Sequence, residues 1–426
     1  MNSKIITILL SILFLSTPAW AQTYRERCGT QARQLTPPNS GIIPSDCGYS
    51  TNTPKSQYDA TFIYEIPVVF HVIQNTSGSG YLSASQIQDQ VDILNEDFQA
   101  IAGSPGSPGA DAMVRFRLAT TDPQGVPSSG ITYTTNNSWF SDNGNYWSTL
   151  AWDTNSYLNI YTNTAGGYLG YVPDFPQGGI VGQDQDRVVI AYNAVGYTSG
   201  SYNLGRTATH EVGHYLGLYH TFDGGCGSSS SCNSSGDLIC DTNTQSSPTF
   251  GCPNNSSSCG NADSFHNYMD YSDDVCMWEF TLEQVNRMRC TLEYWRPDLW
   301  DTPQAQEVVR LGSPANPDAL RPGQTRPPSA GQIWDPVVDH TTFMPSAVTD
   351  IIVISLSSAN IYLAPYGTLL CQRPFLLRFT NSSAGTPFSL SVPASAGGIT
   401  FSAQAASRDA SGQLLLTNAL DCVISY

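Results

Sequence analysis

The stretch "HEVGHYLGLYH", His210 to His220, holds three of the six histidines in a 426-residue chain. No other feature constrains the fold as strongly. His210 and His214 are four apart, so on one helix their imidazoles share a face, a turn apart. Such a pair clamps one ion, and neutral imidazole suits zinc. His220 cannot join them from an unbroken helix, where it would lie about 15 Å along the axis from His210. Metal–nitrogen bonds are only about 2 Å long. The chain must therefore turn between His214 and His220. Gly217 stands there, able to end a helix in a left-handed conformation at little cost. Glu211 follows the first histidine, where it reaches a water on the ion rather than the ion itself. Three neutral ligands leave a fourth position for that water. A glutamate that takes its proton and passes it to a leaving amine makes a peptide-bond hydrolase.

The rest of the chain reads as exported. "MNSKIITILLSILFLSTPAWA" has Lys4, an apolar run from Ile5 to Leu15 and a small-x-small end at Ala19 to Ala21, so residues 1–21 read as a signal peptide. The apolar run is too short to span a bilayer, and no membrane insertion is expected. Eleven cysteines in an exported chain imply disulfides, and seven of them crowd between Cys226 and Cys290. A net charge of −17 argues against nucleic acid or an anionic membrane as partner. The expected partners are protein or peptide substrates, met outside the cell by a monomer.

Composition divides the chain. Residues 22–57 are polar and aperiodic, with Cys28 and Cys47. Residues 58–300 alternate strand and helix patterns. "TFIYEIPVVFHVI", "MVRFRLAT", "YLNIYTN" and "DRVVIAYNAV" read as strands. Ile87, Val91, Ile93, Leu94 and Phe98 mark an amphipathic helix with Ser83 as its N-cap. This is a mixed α/β domain whose second helix carries the histidines. Residues 301–344, punctuated by proline, read as a linker. Residues 345–426 read as a small all-β module, sandwich-like, with Cys371 and Cys422 paired.

HExxHxxGxxH is the metzincin signature. Together, "HEVGHYLGLYHTF", "GDLICDT", "NYMDYSDDVC" and "FTLEQVNRM" resemble the pappalysin family over roughly residues 60–300. The resemblance implies a secreted zinc endopeptidase: an α+β metzincin-like domain with a mixed, mostly parallel sheet and an active-site helix, preceded by a propeptide at 22–57. It assigns His210, His214 and His220 to zinc, Glu211 as general base and Met269 to the methionine turn. Tyr271 falls where related enzymes place a tyrosine near the metal, able to donate to the tetrahedral intermediate; the alternative is a packing tyrosine. Asp274 matches an acidic position lining the pocket just C-terminal to the scissile bond, which favours Arg or Lys there. Asp237, Asp241 and Thr242 match a calcium-binding segment, or else simple turn chemistry. The family pattern suggests Cys252–Cys276, with Cys259 bonded to Cys226 or Cys232; Cys232, Cys240 and Cys290 stay open. Cys28, in "RERCGT", resembles a latency cysteine that occupies the water position, unless it pairs with Cys47. Self-maturation before a basic residue would use Lys55 or Arg33. A competing class is a scaffold with structural zinc that binds other proteins through its β module.

Overall fold

The computed structural model describes residues 26–31, 45–48, 54–101, 103–228, 232, 234–302 and 305–425. The signal peptide and Arg33 lie outside these. The centre of the first sheet is β1 (Tyr64–Gln74), a near-continuous run of apolar residues that suits a strand covered on both faces. Parallel to it lie β2 (Val114–Leu118) against its first half, β3 (Ile131–Thr135) against its second, and β4 (Leu158–Asn163). The edge strand β5 (Gly170–Tyr171) runs antiparallel to β6 (Val188–Ala191), which pairs parallel with β4. The sheet is thus mixed and mostly parallel.

The helix Ala84–Phe98 starts at Ser83 in a reciprocal capping box with Gln86. Its stripe of Ile87, Val91, Leu94 and Phe98 enters one core with β1, β4, β6 and the Ala208 and Val212 face of the helix Arg206–Tyr215. A third helix, Leu282–Tyr294, has the same kind of start in Thr281 and Gln284. The T-x-x-Q signal was present in the sequence, but its apolar stripe is short.

A second core closes a five-stranded antiparallel sheet ordered Leu377–Asn381, Ala347–Ser355, Thr400–Asp409, Leu414–Val423, Gln306–Arg310. The expected linker therefore needs correction. Gln306–Arg310 is the edge strand of this sheet, and Leu320, Trp334 and Val338 are buried in its core. The prolines between them occupy connections, where a missing N–H costs no ladder bond.

Four disulfides are formed: Cys252–Cys276, Cys226–Cys259, Cys232–Cys240 and Cys47–Cys290. Cys28 is a free thiol, so it does not pair with Cys47. Cys371 and Cys422 are also free, against expectation. Cys422 belongs to the core face of the sheet with Phe401 and Leu420. The hairpin carrying Cys371 covers the opposite face, where Leu370 N donates to Gln404 Oε1 and the Cys371 thiol to the Ser402 carbonyl. Side chains alternate across a strand, so the sheet itself separates the two thiols. No helix among the described residues is long and apolar enough to cross a membrane.

Candidate active site

The helix Arg206–Tyr215 ends as Gly217 demands. Gly217 has φ of 92°, its N–H donates to the His214 carbonyl at 2.9 Å, and Leu218 N donates to the Gly213 carbonyl at 3.0 Å. This pair of bonds is the Schellman motif. The turn also brings the Leu218 carbonyl to His214, whose Nδ1 donates to it at 2.7 Å. His210 Nδ1 donates to the Tyr268 carbonyl at 2.7 Å, and His220 Nδ1 donates to Asp223 Oδ2 at 3.2 Å. Carbonyl and carboxylate oxygens only accept, so each Nδ1 carries the proton and each Nε2 keeps its lone pair.

Those lone pairs converge. His214 Nε2 lies 3.1 Å from the Nε2 of both His210 and His220. A tetrahedral ion with nitrogen bonds of about 2.0–2.1 Å would hold its ligand atoms about 3.3 Å apart. The donor set therefore fits zinc. Burial, reinforced by the neighbouring histidines, pushes the His210 and His214 imidazoles well below the usual histidine range, keeping them neutral. Beneath them lies fully buried Met269, and a Cβ on Gly213 would come within 2.5 Å of its sulfur. The helix thus rests on the methionine through a glycine.

Glu211 is fully buried beside the histidines. Its Oε2 accepts from Thr30 Oγ1 at 3.2 Å and from the Cys28 thiol at 3.5 Å, while Oε1 has no partner among the described residues. Burial pushes this carboxyl up to about 8. The edge strand passes directly over it: a Cβ on Gly170 would meet Glu211 Cγ at 2.7 Å. Tyr271 places its hydroxyl 3.2 Å from His220 Nε2.

Residues 26–31 lie along that edge strand. Leu169 N donates to the Glu26 carbonyl, Gly29 N to the Gly170 carbonyl, and Cys28 bridges Gly170 in the parallel sense. The Cys28 sulfur sits 3.6 Å from His214 Nε2, and it and the three histidines offer ligand atoms all within 4.8 Å of one another. Burial, then the charge of Glu211, pushes the thiol up. Arg27 enters a pocket floored by Asp274. Its Nη1 is 3.2 Å from Asp274 Oδ1, its Nη2 donates to the Met277 sulfur at 3.1 Å, and its guanidinium lies 4.6 Å from the centre of the Tyr202 ring. The other Asp274 oxygen accepts from the N–H groups of Leu204 and Arg206.

The family model described as peptidase M43, pregnancy-associated plasma protein-A, matches residues 143–293. An extracellular metalloprotease of Pyricularia oryzae is 33% identical over 301 residues, covering 68% of this chain and 96% of that protein. The chain belongs to the M43 peptidases, the pappalysin family. It is a zinc metalloendopeptidase. An extracellular metalloprotease of Colletotrichum graminicola is 38% identical over 242 residues, 54% of this chain and 77% of that protein. Mature mirolysin of Tannerella forsythia, solved in complex with a cleaved peptide, is 34% identical, with 57% of this chain and 99% of that chain covered at a TM-score of 0.48.

In this pappalysin the calcium expectation finds no support. Asp237 accepts from Thr242 Oγ1 and Ile239 N, and burial pushes it up to about 7. Asp241 turns elsewhere, accepting from Thr281 Oγ1 and Glu283 N at the start of the last helix. Turn and cap chemistry accounts for both carboxylates.

Several residues that shape the site went unread in the sequence. Asp97, fully buried, accepts from Thr209 Oγ1 at 2.7 Å and from the Tyr268 hydroxyl at 2.8 Å, and pairs with Arg206 at 3.4 Å. It braces both neighbours of the His210 ring, Thr209 in the helix and Tyr268 as acceptor. Its signal was available: a carboxylate on the apolar face between Leu94 and Phe98 requires buried partners. Gly170 and Gly213 gave no signal, because only the tertiary approach of another side chain makes a glycine necessary there.

Proposed function

We propose that this pappalysin is a secreted endopeptidase, held latent by its own N-terminal segment, that cleaves proteins before Arg or Lys. The convergence of three unprotonated Nε2 atoms beside an Oε1 of Glu211 that has no partner among the described residues carries the proposal. His210, His214 and His220 would hold zinc, which when bound would supply Lewis acidity to the scissile carbonyl and lower the pKa of water. Glu211 takes the water's proton through Oε1 and delivers it to the leaving amine. The Tyr271 hydroxyl donates to the oxyanion as it forms.

Asp274 sets specificity. The support is the chain's own Arg27, which fills the Asp274 pocket with charge, hydrogen bonds and ring contact. Cys28 maintains latency by occupying the position water needs, and Thr30 occupies Glu211 at the same time. In this reading residues 1–21 direct export, the segment around Cys28 is the inhibitor, residues 58–300 catalyse, and the β module begins by Gln306. Extracellular placement draws support from the names of the relatives.

Cleavage-site profiling on a denatured protein mixture tests the reading. The activated enzyme should cut before Arg or Lys. Asp274→Asn should lose about 10- to 100-fold in kcat/KM on such sites, the worth of one charge-assisted contact. An unchanged preference in that variant would discard the pocket and keep the zinc chemistry.

A further inference from the structure

Composition groups Cys47 with the removable N-terminal segment, but its surroundings place it with the catalytic body. It is fully buried and bonded to Cys290 of the last helix, 243 residues later. Tyr58, Tyr294 and Trp295 pack around that bond. The neighbouring backbone is fastened as well. Lys55 N donates to Asp46 Oδ1 at 2.7 Å, Asn286 Nδ2 donates to the Lys55 carbonyl at 3.1 Å, and Arg287 Nε donates to the Asp46 carbonyl at 3.3 Å. Cys28, 19 residues earlier in sequence, has no disulfide and sits in the cleft by noncovalent contacts alone.

We propose that the Cys47–Cys290 disulfide is a tether that decides which cut activates the enzyme. Hydrolysis on the Cys28 side of Cys47 frees the inhibitory segment, whereas hydrolysis at Lys55 leaves it covalently attached and still seated. Each cut adds one water across one peptide bond, giving a carboxylate and an amine, and leaves the S–S bond untouched. The difference is one of concentration. A covalent link over so few residues keeps a segment at an effective concentration on the order of millimolar, so at about 1 μM enzyme a freed segment is diluted about 10³-fold. Lys55 is also a poor site, because its N–H and carbonyl are both engaged and nicking favours unbonded loop backbone. The mature enzyme then retains Cys47 and Lys55, held by the last helix. The inference rests on the reading of Cys28 as the latency residue.

Two full-length precursors test it, each with an inserted recognition sequence for a foreign protease, one between Leu35 and Thr36 and one between Thr51 and Asn52. Each is cut and assayed on an Arg-containing peptide without reductant. The first cut should raise activity at least about 100-fold. The second should leave it within about twofold of the uncut form, with the N-terminal fragment retained on a non-reducing gel and released on a reducing one. Adding Cys47→Ser to the second precursor should let the same cut activate. Should that variant not fold, the gel alone decides, since a fragment lost without reductant overturns the tether. Equal activation of silent precursors by both cuts also overturns it, leaving latency intact. Uncut precursors as active as the cut forms would instead bring down the latency reading, and the proposal with it.

Discussion

The mixed sheet beneath the active-site helix and the antiparallel sheet near the C-terminus both close on apolar cores, yet they enclose different polar groups. Around the first, charges are buried in quantity: Asp97 with Arg206, Asp186 with Arg296, Asp274 with Arg27, and Glu211 among three histidines. Around the second, most buried polar groups are neutral. Gln404, Thr417 and Asn418 satisfy backbone groups across the sheet, and Asp350 is the exception, held by His340 and Ser407. The second region, though smaller, leaves more large apolar side chains outside, among them Ile361, Tyr362 and Leu363 of its hairpin. Burying a charge is costly unless it is paired. A region that encloses many is committed to holding particular groups in particular places, and a region that encloses few needs only to fold.

The contrast can be broken where it is strongest. Glu211→Gln keeps the shape of the site but removes the proposed proton carrier, and kcat/KM should fall by about 10³-fold or more with zinc content unchanged. Residual activity near wild type would mean that the buried carboxylate is structural. Trp334→Ala is the counterpart in the second core. Trp334 is buried, contacts Phe401 edge-on and donates to Glu307. Its loss should cost that region about 3–5 kcal/mol in denaturant unfolding, while peptide cleavage stays within about twofold. A matching fall in cleavage would show that the two regions act as one.

Acid should distinguish them next. His71 is enclosed in the first sheet with Thr132 and Asn159, and burial pushes its imidazole down to about 4. Unfolded, it takes up a proton near 6.5. Between those values the unfolded chain binds more protons, so stability falls as pH drops from about 6.5 toward 4 and loses no more to this group below that. The full loss is about 3 kcal/mol. Urea unfolding followed from pH 7 to 4 should display that slope, and His71→Asn should flatten it; an unaltered slope would assign the acid sensitivity elsewhere. The smallest effect concerns Cys422. As a free thiol, its replacement by Ala should cost the second region about 1 kcal/mol, against the 2–5 kcal/mol of a lost disulfide. A loss in the disulfide range, together with resistance of Cys371 to alkylation in the unfolded chain, would restore the pairing read from sequence.

Much of the first region was legible because its signals are local. Ser83 ahead of an apolar stripe marked a helix start, and β1 announced itself by an apolar run too long and too β-branched for exposed structure. The second region was less legible. Gln306–Arg310 is a short edge strand in a proline-rich stretch, and nothing local says that its partner lies more than a hundred residues away. The cysteines show the same division. Cys252 and Cys276 could be matched through a family pattern, whereas Cys47 with Cys290 required a fold to bring them together.

The sequence by itself determined that three histidines can converge, because four-residue spacing on a helix and a glycine that permits positive φ are matters of local geometry. It also determined that a turn must follow His214, and the Schellman bonds at Gly217 supply it. Only the tertiary structure decided what surrounds the clamp: the bracing by Asp97, the glycine approaches at Gly170 and Gly213, Arg27 against Asp274, and the bond that fastens Cys47. Each of these joins residues that are distant in sequence. Such contacts depend on how the helices and the sheet pack together, and residue spacing along the chain does not contain that packing.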